Sequence, residues 1–180
     1  MFTAEIKKFI QQHNYPEFQL KAVFFDMDGV LLDSMEYHSI AWVKTMNDLD
    51  IPFTIEEAYM NEGRVGHDTI NSSYMSTFGR LASLEEQENI YEVKTRHLEA
   101  LGPIYAMPFS NELLNKVKQQ GLAIYLVTGS GQPTLINSLD DYFPDIFLKD
   151  RMVTAFDVKQ GKPSPEPYLK ALEKSGLNPW

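Results

Sequence analysis

The stretch Lys21-Ala22-Val23-Phe24-Phe25-Asp26-Met27-Asp28-Gly29 joins a short apolar run to two acids and a glycine. An apolar run of this length that ends at a turn is typical of a strand buried on both faces. A second run, Leu122–Thr128, has the same character and is also followed by a glycine. The two runs predict two buried strands.

Three helical patterns accompany these strands. The first begins at Ser110 as N-cap and ends at Gly121. The second begins near Pro133, and the third is capped by Ser164 and ends at Gly176. Strands that alternate with helices of about ten residues predict a parallel α/β sheet with right-handed crossovers. The side chains expected to face inward are Leu113, Leu114, Val117, Leu135, Ile136, Leu139, Tyr168, Leu169 and Leu172.

The segment from Met35 to Leu101 interrupts this alternation, because it contains no buried-strand run. We predict an inserted helical domain over residues 35–101, on a core formed by residues 1–34 and 102–180. Hinges are expected at Asp33–Glu36 and Gly102–Pro108. The predicted helices of the insertion are Tyr37–Leu49, Ile55–Met60, His67–Phe78 and Leu84–Leu101.

The N-terminal segment Met1–Gln12 has its apolar residues on one helical face and lacks the apolar block of a signal peptide. We predict a short amphipathic helix docked on the body of the protein. A helix that binds a partner is the alternative. The apolar residues are Phe2, Ile6, Phe9 and Ile10.

Composition excludes several classes of protein. With 43% apolar and 23% charged residues, the 180-residue chain has ordinary globular composition. Its formal net charge of −9 argues against nucleic acid or an anionic membrane as partner, although a local site for a small anion remains compatible. No apolar run approaches the ~18 residues of a membrane span. The absence of cysteine excludes disulfides, thiolate nucleophiles and cysteine-ligated zinc, and permits a reducing cytosol. We expect a cytoplasmic protein and, although composition does not determine the oligomeric state, a monomer.

Asp26 and Asp28 come directly after the first predicted strand. Ligands of open α/β sheets bind beyond the carboxyl ends of the strands. Two carboxylates that point into one cleft there need a cation, and Mg²⁺ suits one or two carboxylates together with water and phosphate. A calcium loop is excluded because Gly29 is at its fourth position and Val30 at its fifth. A turn with solvated acids is the plainer alternative.

The segment Asp26–Ser34 resembles motif one of the haloacid dehalogenase superfamily, DxDGxxxDS. Thr128 matches motif two, and Lys162, within Gly161–Pro167, matches motif three. The resemblance extends from Lys21 to the C-terminus. It implies a Rossmann-like core with a helical cap of the type found in the β-phosphoglucomutase-like and phosphoglycolate-phosphatase-like subgroup.

The resemblance also implies a mechanism. Asp26 would attack phosphorus to form an aspartyl phosphate, and Asp28 would act first as general acid and then as general base. Both would hold Mg²⁺. Similar enzymes that displace halide lack the second acid, so Asp28 favours phosphoryl transfer.

Three further segments would surround the phosphoryl group. Thr128, Gly129 and Ser130 would hold its oxygens, and Lys162 would offset the charge of phosphate and Asp26. Taken singly, a threonine at a strand end is usually structural and a lone lysine is usually solvated.

Family members carry a fourth motif with further metal-binding acids, whereas no acid follows Glu173 here. We expect the natural protein to be longer. Lys21–Asp26 is accordingly expected to form an exposed edge, which favours aggregation.

The loop Met60–Asp68 lies where caps of this subgroup carry specificity residues. β-Phosphoglucomutases place a lysine before its glycine and an arginine three residues after it, whereas this chain has Glu62 and Gly66 there. Arg64 could bind a phosphate from another position, or the loop could simply be a charged surface. His38 matches a histidine of such mutases or is a solvated side chain.

Glu62 points to a small substrate. A carboxylate that enters a closed phosphate site must meet a cation, because like charges repel strongly where water is excluded. An acid of the cap that binds Mg²⁺ would leave little room for a bulky leaving group, so small substrates are favoured, with inorganic pyrophosphate as the extreme case. The Glu-Gly-Arg stretch also looks similar to that of the pyrophosphatases of this subgroup. We predict a Mg²⁺-dependent phosphohydrolase for a sugar phosphate or pyrophosphate. The alternatives are β-phosphoglucomutase-type phosphotransfer and a non-catalytic module that binds a phosphate ligand.

Overall fold

A parallel sheet organises the computed structural model, which describes residues 2–179. Its strands are β1 (Ala22–Phe25), β2 (Ala123–Val127) and β3 (Met152–Val153), in the order β1-β2-β3. Phe25 pairs with Leu126, and Val127 with Val153. The carboxyl ends of all three strands therefore lie at one edge of the sheet.

Eight helices accompany the sheet in the described part of the chain. Four of them lie between β1 and β2, in the segment predicted as an insertion. The helices are α1 (Thr3–His13), α2 (Met35–Asn47), α3 (Ile55–Met60), α4 (Gly66–Phe78), α5 (Leu84–Ala100), α6 (Ser110–Gln119), α7 (Pro133–Tyr142) and α8 (Glu166–Ser175).

The predicted α/β fold class and the predicted elements are confirmed. Helix α3 has the predicted bounds, and α7 begins at Pro133. Gly121 and Gly176 follow α6 and α8 with φ of +72° and +63°, the left-handed conformation that ends a helix. Proline and glycine positions and the apolar pattern in the sequence therefore predicted where these helices begin or end.

The predicted cap of α6 was wrong. Phe109, with φ of +65°, occupies the N-cap position, and Ser110 is already helical. The Ser110 hydroxyl donates to the carbonyl of Met107 (2.7 Å). It therefore caps no free amide of the helix.

Three side chains predicted to be buried are exposed instead. Leu113 is 49% exposed, Tyr168 42% and Leu169 59%. Helix α6 turns Leu114 toward the core, and α8 buries Pro167 and Ala171. The apolar patterns of α6 and α8 correctly predicted helices, but the buried face of each helix is narrower than predicted.

The predicted docking of the N-terminal helix was also wrong. Helix α1 has no buried residue, and Phe2 and Phe9 are 69% and 41% exposed. The Phe9 ring contacts local rings, with its centroid 4.5 Å from that of His13 in a tilted arrangement and 5.7 Å from that of Tyr15 edge-to-face. A partner for this helix stays a prediction, and Met1 lies outside the described residues.

Two large hydrophobic clusters and a small third one, formed by Val127, Val153 and Ala171, stabilise the molecule. One large cluster surrounds β2 and includes Leu114, Leu126 and Phe143. The other large cluster lies within the helical segment, residues 35–101, and includes Met46 and Ile70. A separate cluster within this segment is consistent with an insertion, and the division into two domains stays a prediction.

The edge position expected for the first strand is observed. Along the described chain, β1 pairs with β2 on one side and has no strand on the other. Among residues 2–179, no helix is long and apolar enough to cross a membrane.

Candidate active site

Lys162 reaches Asp26 from the loop that precedes α8. Its ammonium group lies 2.9 Å from Asp26 Oδ1 and donates to the carbonyl of Val127, also at 2.9 Å. Asp26 directly follows β1, and Val127 ends β2. The sheet thus brings two residues that are far apart in the sequence into an ion pair beyond its carboxyl edge.

Asp28 is held by the start of the helical segment. Its Oδ1 accepts from the Ser34 hydroxyl (2.6 Å) and lies 3.0 Å from His38 Nε2. Burial opposes ionisation of this carboxyl, but the contacts with His38 and Ser34 and the charge of Lys94 outweigh it. The pKa of Asp28 therefore lies below its ordinary value.

Lys94 is a residue of the site that the sequence reasoning missed. It is 2% exposed, and its ammonium group lies 2.7 Å from His38 Nδ1 and 3.0 Å from Gln132 Oε1. Burial lowers the pKa of Lys94 to about 7, against the opposing charges of Asp28 and Glu62. A signal was present, because Lys94 stands between Ile90 and Leu98 on the buried face of α5.

The hydrogen bonds of Lys94 define how His38 faces Asp28. An ammonium group donates only, so His38 Nδ1 accepts from Lys94 and Nε2 carries the hydrogen that is donated to Asp28. Burial and the charge of Lys94 lower the pKa of His38, which agrees with a neutral ring. His38 is thus a buried connector between the two charged groups, and the alternative of a solvated side chain was wrong.

Glu62 lies at the rim of a cavity that Asp26 and Asp28 also line, with a volume of about 40 Å³. Partial burial and the charges of Asp28 and Asp26 raise the pKa of Glu62 to about 7. The same cavity is lined by Arg64. The helical segment therefore adds an acid and a guanidinium to the acids of the sheet edge.

The loop after β2 forms the other wall. Gly129 and Ser130 line the cavity, whereas Thr128 is 1% exposed. The Thr128 hydroxyl accepts from the backbone amide of Ser130 (3.0 Å). Thr128 thus supports the turn of this loop, and its contact with a phosphoryl group stays a prediction.

The 60–68 loop rests on two glycines of the core. A Cβ atom on Gly161 would lie 2.5 Å from the backbone nitrogen of Val65, and one on Gly129 would lie 2.8 Å from the carbonyl oxygen of Arg64. A Cβ on Gly63 would lie 3.1 Å from Lys162 Cδ. Only glycine allows this approach without displacement of the backbone.

The donor set suits a magnesium ion that keeps several waters. The contacts of Asp26 and Asp28 with Lys162, Ser34 and His38 all involve Oδ1. The pKa of Glu62 is raised first by burial and then by the negative charges of Asp28 and Asp26. Residues 2–179 contain no group of three or more acids, histidines or cysteines arranged to hold a metal. Mg²⁺ fits two carboxylates because it dehydrates reluctantly and binds water and phosphate oxygens as well.

A family model for haloacid dehalogenase-like hydrolases matches residues 20–179. The chain belongs to this family. The match spans both acids after β1, the loop after β2 and Lys162, so the resemblance inferred from the motifs is confirmed. With its named relatives, the match makes this haloacid dehalogenase-like protein an enzyme of the β-phosphoglucomutase-like kind.

Two relatives illustrate the activities found in this part of the family. β-Phosphoglucomutase of Bacillus subtilis is 27% identical over 171 residues, which cover 89% of this chain and 72% of the relative. Pyrophosphatase PpaX of Bacillus mycoides is 28% identical over 167 residues, with coverage of 89% and 72%.

A solved structure shares the whole architecture. It is a protein of Bacteroides vulgatus provisionally named β-phosphoglucomutase, 46% identical, with a TM-score of 0.93. The match covers 99% of this chain and 72% of that one. The haloacid dehalogenase-like fold is therefore shown.

Proposed function

We propose that the chain hydrolyses small phosphorylated substrates with Mg²⁺, through an aspartyl phosphate on Asp26. The observation that carries the proposal is the arrangement of two acids at the sheet edge. Asp26 is paired with a cation, Lys162, and Asp28 is oriented by His38. A nucleophile beside a positive charge and a separately held proton carrier are what stepwise phosphoryl transfer requires.

In the first step, a carboxylate oxygen of Asp26 attacks phosphorus and the bond to the leaving oxygen breaks. Asp28 gives its proton to that oxygen, and the negative charge of the bound phosphoryl group raises the proton affinity of Asp28 beforehand. In the second step, water attacks the phosphorus of the aspartyl phosphate and Asp28 takes the proton of that water. Phosphate leaves and Asp26 is restored.

The cationic groups offset the charge that accumulates. Lys162 stays next to Asp26 and to the incoming phosphoryl oxygens. Asp26 and Asp28 would hold Mg²⁺, which when bound supplies charge neutralisation at the phosphoryl oxygens. The amides of Gly129 and Ser130 are placed to donate to the same oxygens, since both residues line the cavity.

The cavity favours a small substrate. Its volume of about 40 Å³ leaves little room for a bulky leaving group. Glu62 adds a carboxylate that a cation must offset, which suits a substrate that arrives with Mg²⁺. Inorganic pyrophosphate combines small size with this property, and a pyrophosphatase is among the relatives.

Phosphotransfer between sugar phosphates is the second candidate. It is favoured by the names of two relatives, one 27% and one 46% identical. In that case Arg64 would bind the distal phosphate, and the sugar hydroxyl would replace water in the second step.

The test compares phosphate release from pyrophosphate, hexose phosphates and glycolate phosphate, with Mg²⁺ and with EDTA. We expect turnover only with Mg²⁺, none in Asp26→Asn, and a selective loss on pyrophosphate in Glu62→Ala. Near-normal turnover by Asp26→Asn would refute the nucleophile. Equal loss of activity on every substrate in Glu62→Ala, or loss on none, would refute the pyrophosphate assignment.

Conversion of β-glucose 1-phosphate to glucose 6-phosphate would favour the mutase. Binding of BeF₃⁻, which mimics a phosphoryl group, at Asp26 would show the phosphoryl site directly.

A further inference from the structure

Gln132 lies at the junction between the loop after β2 and helix α5. It is completely buried and directly precedes the first residue of α7. Its Oε1 accepts from the Lys94 ammonium group (3.0 Å), and its Nε2 donates to the Thr95 hydroxyl (3.4 Å). A buried amide with both ends bonded to one helix has a single favourable orientation.

The same loop is held by α5 at a third point. The backbone amide of Gly131 donates to the Tyr91 hydroxyl (3.2 Å). The backbone amide of Gln132 donates to the hydroxyl of Ser130 (3.3 Å), which lines the cavity. Tyr91, Lys94 and Thr95 therefore join α5 to the loop that is proposed to bind the phosphoryl group.

The acceptor on Gln132 determines where the ammonium hydrogens of Lys94 point. The group has three hydrogens and faces His38 Nδ1, Gln132 Oε1 and the aromatic rings of Trp42 and Tyr91, whose centroids lie 5.4 and 5.7 Å away. With one hydrogen directed at Gln132, another is directed at His38. Without the Gln132 acceptor, the ammonium group loses a neutral hydrogen-bond partner in a buried place and can rotate or withdraw.

We propose that Gln132 is a positioning residue that orients Lys94, and through it His38 and Asp28, when α5 packs against the loop after β2. This inference rests on the proposed function, because it assigns Asp28 the transfer of a proton to the leaving oxygen. The acceptor belongs to the core loop and the lysine to the helical segment. The Ser34 hydroxyl holds Asp28 in any case, and Gln132 adds its orienting effect through Lys94 and His38 only when both parts are in contact.

The test separates an effect on proton transfer from a general structural effect. Gln132→Leu keeps the size of the side chain but removes the acceptor, whereas Gln132→Glu keeps an acceptor at the same length. Thr95→Val is the matched control, because it removes the acceptor of Gln132 Nε2 (3.4 Å) and the bond of the Thr95 hydroxyl to the Tyr91 carbonyl (2.9 Å) but leaves the Gln132 acceptor of Lys94 in place. For each variant, kcat/KM is measured with p-nitrophenyl phosphate, whose leaving group needs no proton, and with glycerol phosphate, whose leaving group needs one.

We expect Gln132→Leu to lose about 10-fold or more on glycerol phosphate, a part of the general-acid contribution, and less than about 3-fold on p-nitrophenyl phosphate. Gln132→Glu and Thr95→Val should stay within about 3-fold of the unmodified chain on both. An equal loss on the two substrates, or no loss on either, would overturn the inference.

A second measurement is independent of turnover. The ¹⁵N resonance of His38 Nδ1 should shift in Gln132→Leu toward that of an imidazole nitrogen without a hydrogen bond, and should keep its position in Gln132→Glu. An unchanged resonance in Gln132→Leu would overturn the inference even if the unmodified chain hydrolyses neither phosphate ester. Absence of turnover on both esters and also on pyrophosphate would instead refute the proposed function.

Discussion

The two acids of the site are balanced by lysines in different ways. Lys162 touches Asp26 directly, whereas Lys94 acts on Asp28 through the ring of His38. In the proposed mechanism, the direct ion pair would offset charge at the position of attack. A lysine that acts through a histidine would leave the Asp28 carboxylate free to exchange a proton with the substrate.

Lys162→Met tests the direct pair. Removal of the ammonium group leaves the charge on Asp26 and the phosphoryl oxygens without a partner, so kcat/KM for p-nitrophenyl phosphate should fall by about 10²-fold or more. Lys159→Met is the matched control, because Lys159 is an exposed lysine of the same loop. A loss of less than about 3-fold in Lys162→Met would contradict the role of this residue.

Glu62 makes stability depend on pH in the absence of divalent cations. Its pKa is raised from 4.5 to about 7 in the folded chain, so folding disfavours its charged form. The resulting cost is absent below pH 4.5, grows between pH 4.5 and 7, and is complete above pH 7. Burial of Glu62 is only partial, and solvent screens its charge, so we expect this cost in the free energy of unfolding to reach about 1 kcal/mol at most.

Thermal unfolding in EDTA at pH 4.5 and pH 8 measures this effect. Glu62→Gln should be more stable than the unmodified chain at pH 8 and equally stable at pH 4.5. Glu56→Gln, an exposed acid on α3, should change neither value. Equal stabilisation by Glu62→Gln at pH 4.5 and pH 8, or no stabilisation at pH 8, would show that ionisation of Glu62 does not carry this cost.

At the scale of the elements, helices α5 and α1 differ in what holds them. Helix α5 begins with a capping box in which Ser83 and Glu86 exchange hydrogen bonds, and it buries Ile90, Lys94 and Leu98. Helix α1 has no side-chain cap and buries nothing. Short helices owe most of their stability to tertiary packing, so α5 should be integral to the fold and α1 should not.

Deletion of residues 2–14 tests this difference. Since α1 covers no core, the melting temperature should change by less than about 2 °C. Leu114→Ala, at a completely buried position of α6, provides the contrast and should cost about 2–5 kcal/mol. A decrease of more than about 4 °C on deletion of α1 would mean that the helix packs on the body in solution.

At the scale of the whole molecule, the site exists because the helical segment rests on the core loops. Val65 is completely buried, and its backbone nitrogen lies where a side chain on Gly161 would begin. Lys162 is the next residue after Gly161. The contact therefore brings the 60–68 loop and the cation of the core into one arrangement.

Gly161→Ala should separate these two parts. The added methyl group cannot fit against backbone, so the 60–68 loop must move away, and a displacement of this kind can cost on the order of 10²-fold in kcat/KM. Gly121→Ala is the control, because nothing lies within 4 Å of its Cβ position. It should reduce stability by about 1–2 kcal/mol through its positive φ without loss of activity well below the melting temperature. Full activity in Gly161→Ala would contradict the need for this contact.

The local sequence was sufficient to predict β1, β2 and the eight helices of residues 2–179, but not the two-residue strand β3, and to place two acids directly after β1. Apolar runs, caps and glycines act over a few residues, and they placed β1, β2, α3 and the start of α7 correctly. The acids after β1 could be assigned to the ligand-binding edge, because a parallel sheet directs the ends of its strands to one side.

Only the tertiary structure decided which helical faces are covered and which side chains meet. Leu113 and Leu169 would be buried only if another part of the protein packed against them. The helical spacing of apolar residues in the sequence does not contain this information. Lys94 and His38 are 56 residues apart, and Lys94 and Gln132 are 38 apart. Their contact arises when α5 packs against α2 and against the loop after β2, because burial in that junction leaves the ammonium group only these polar partners.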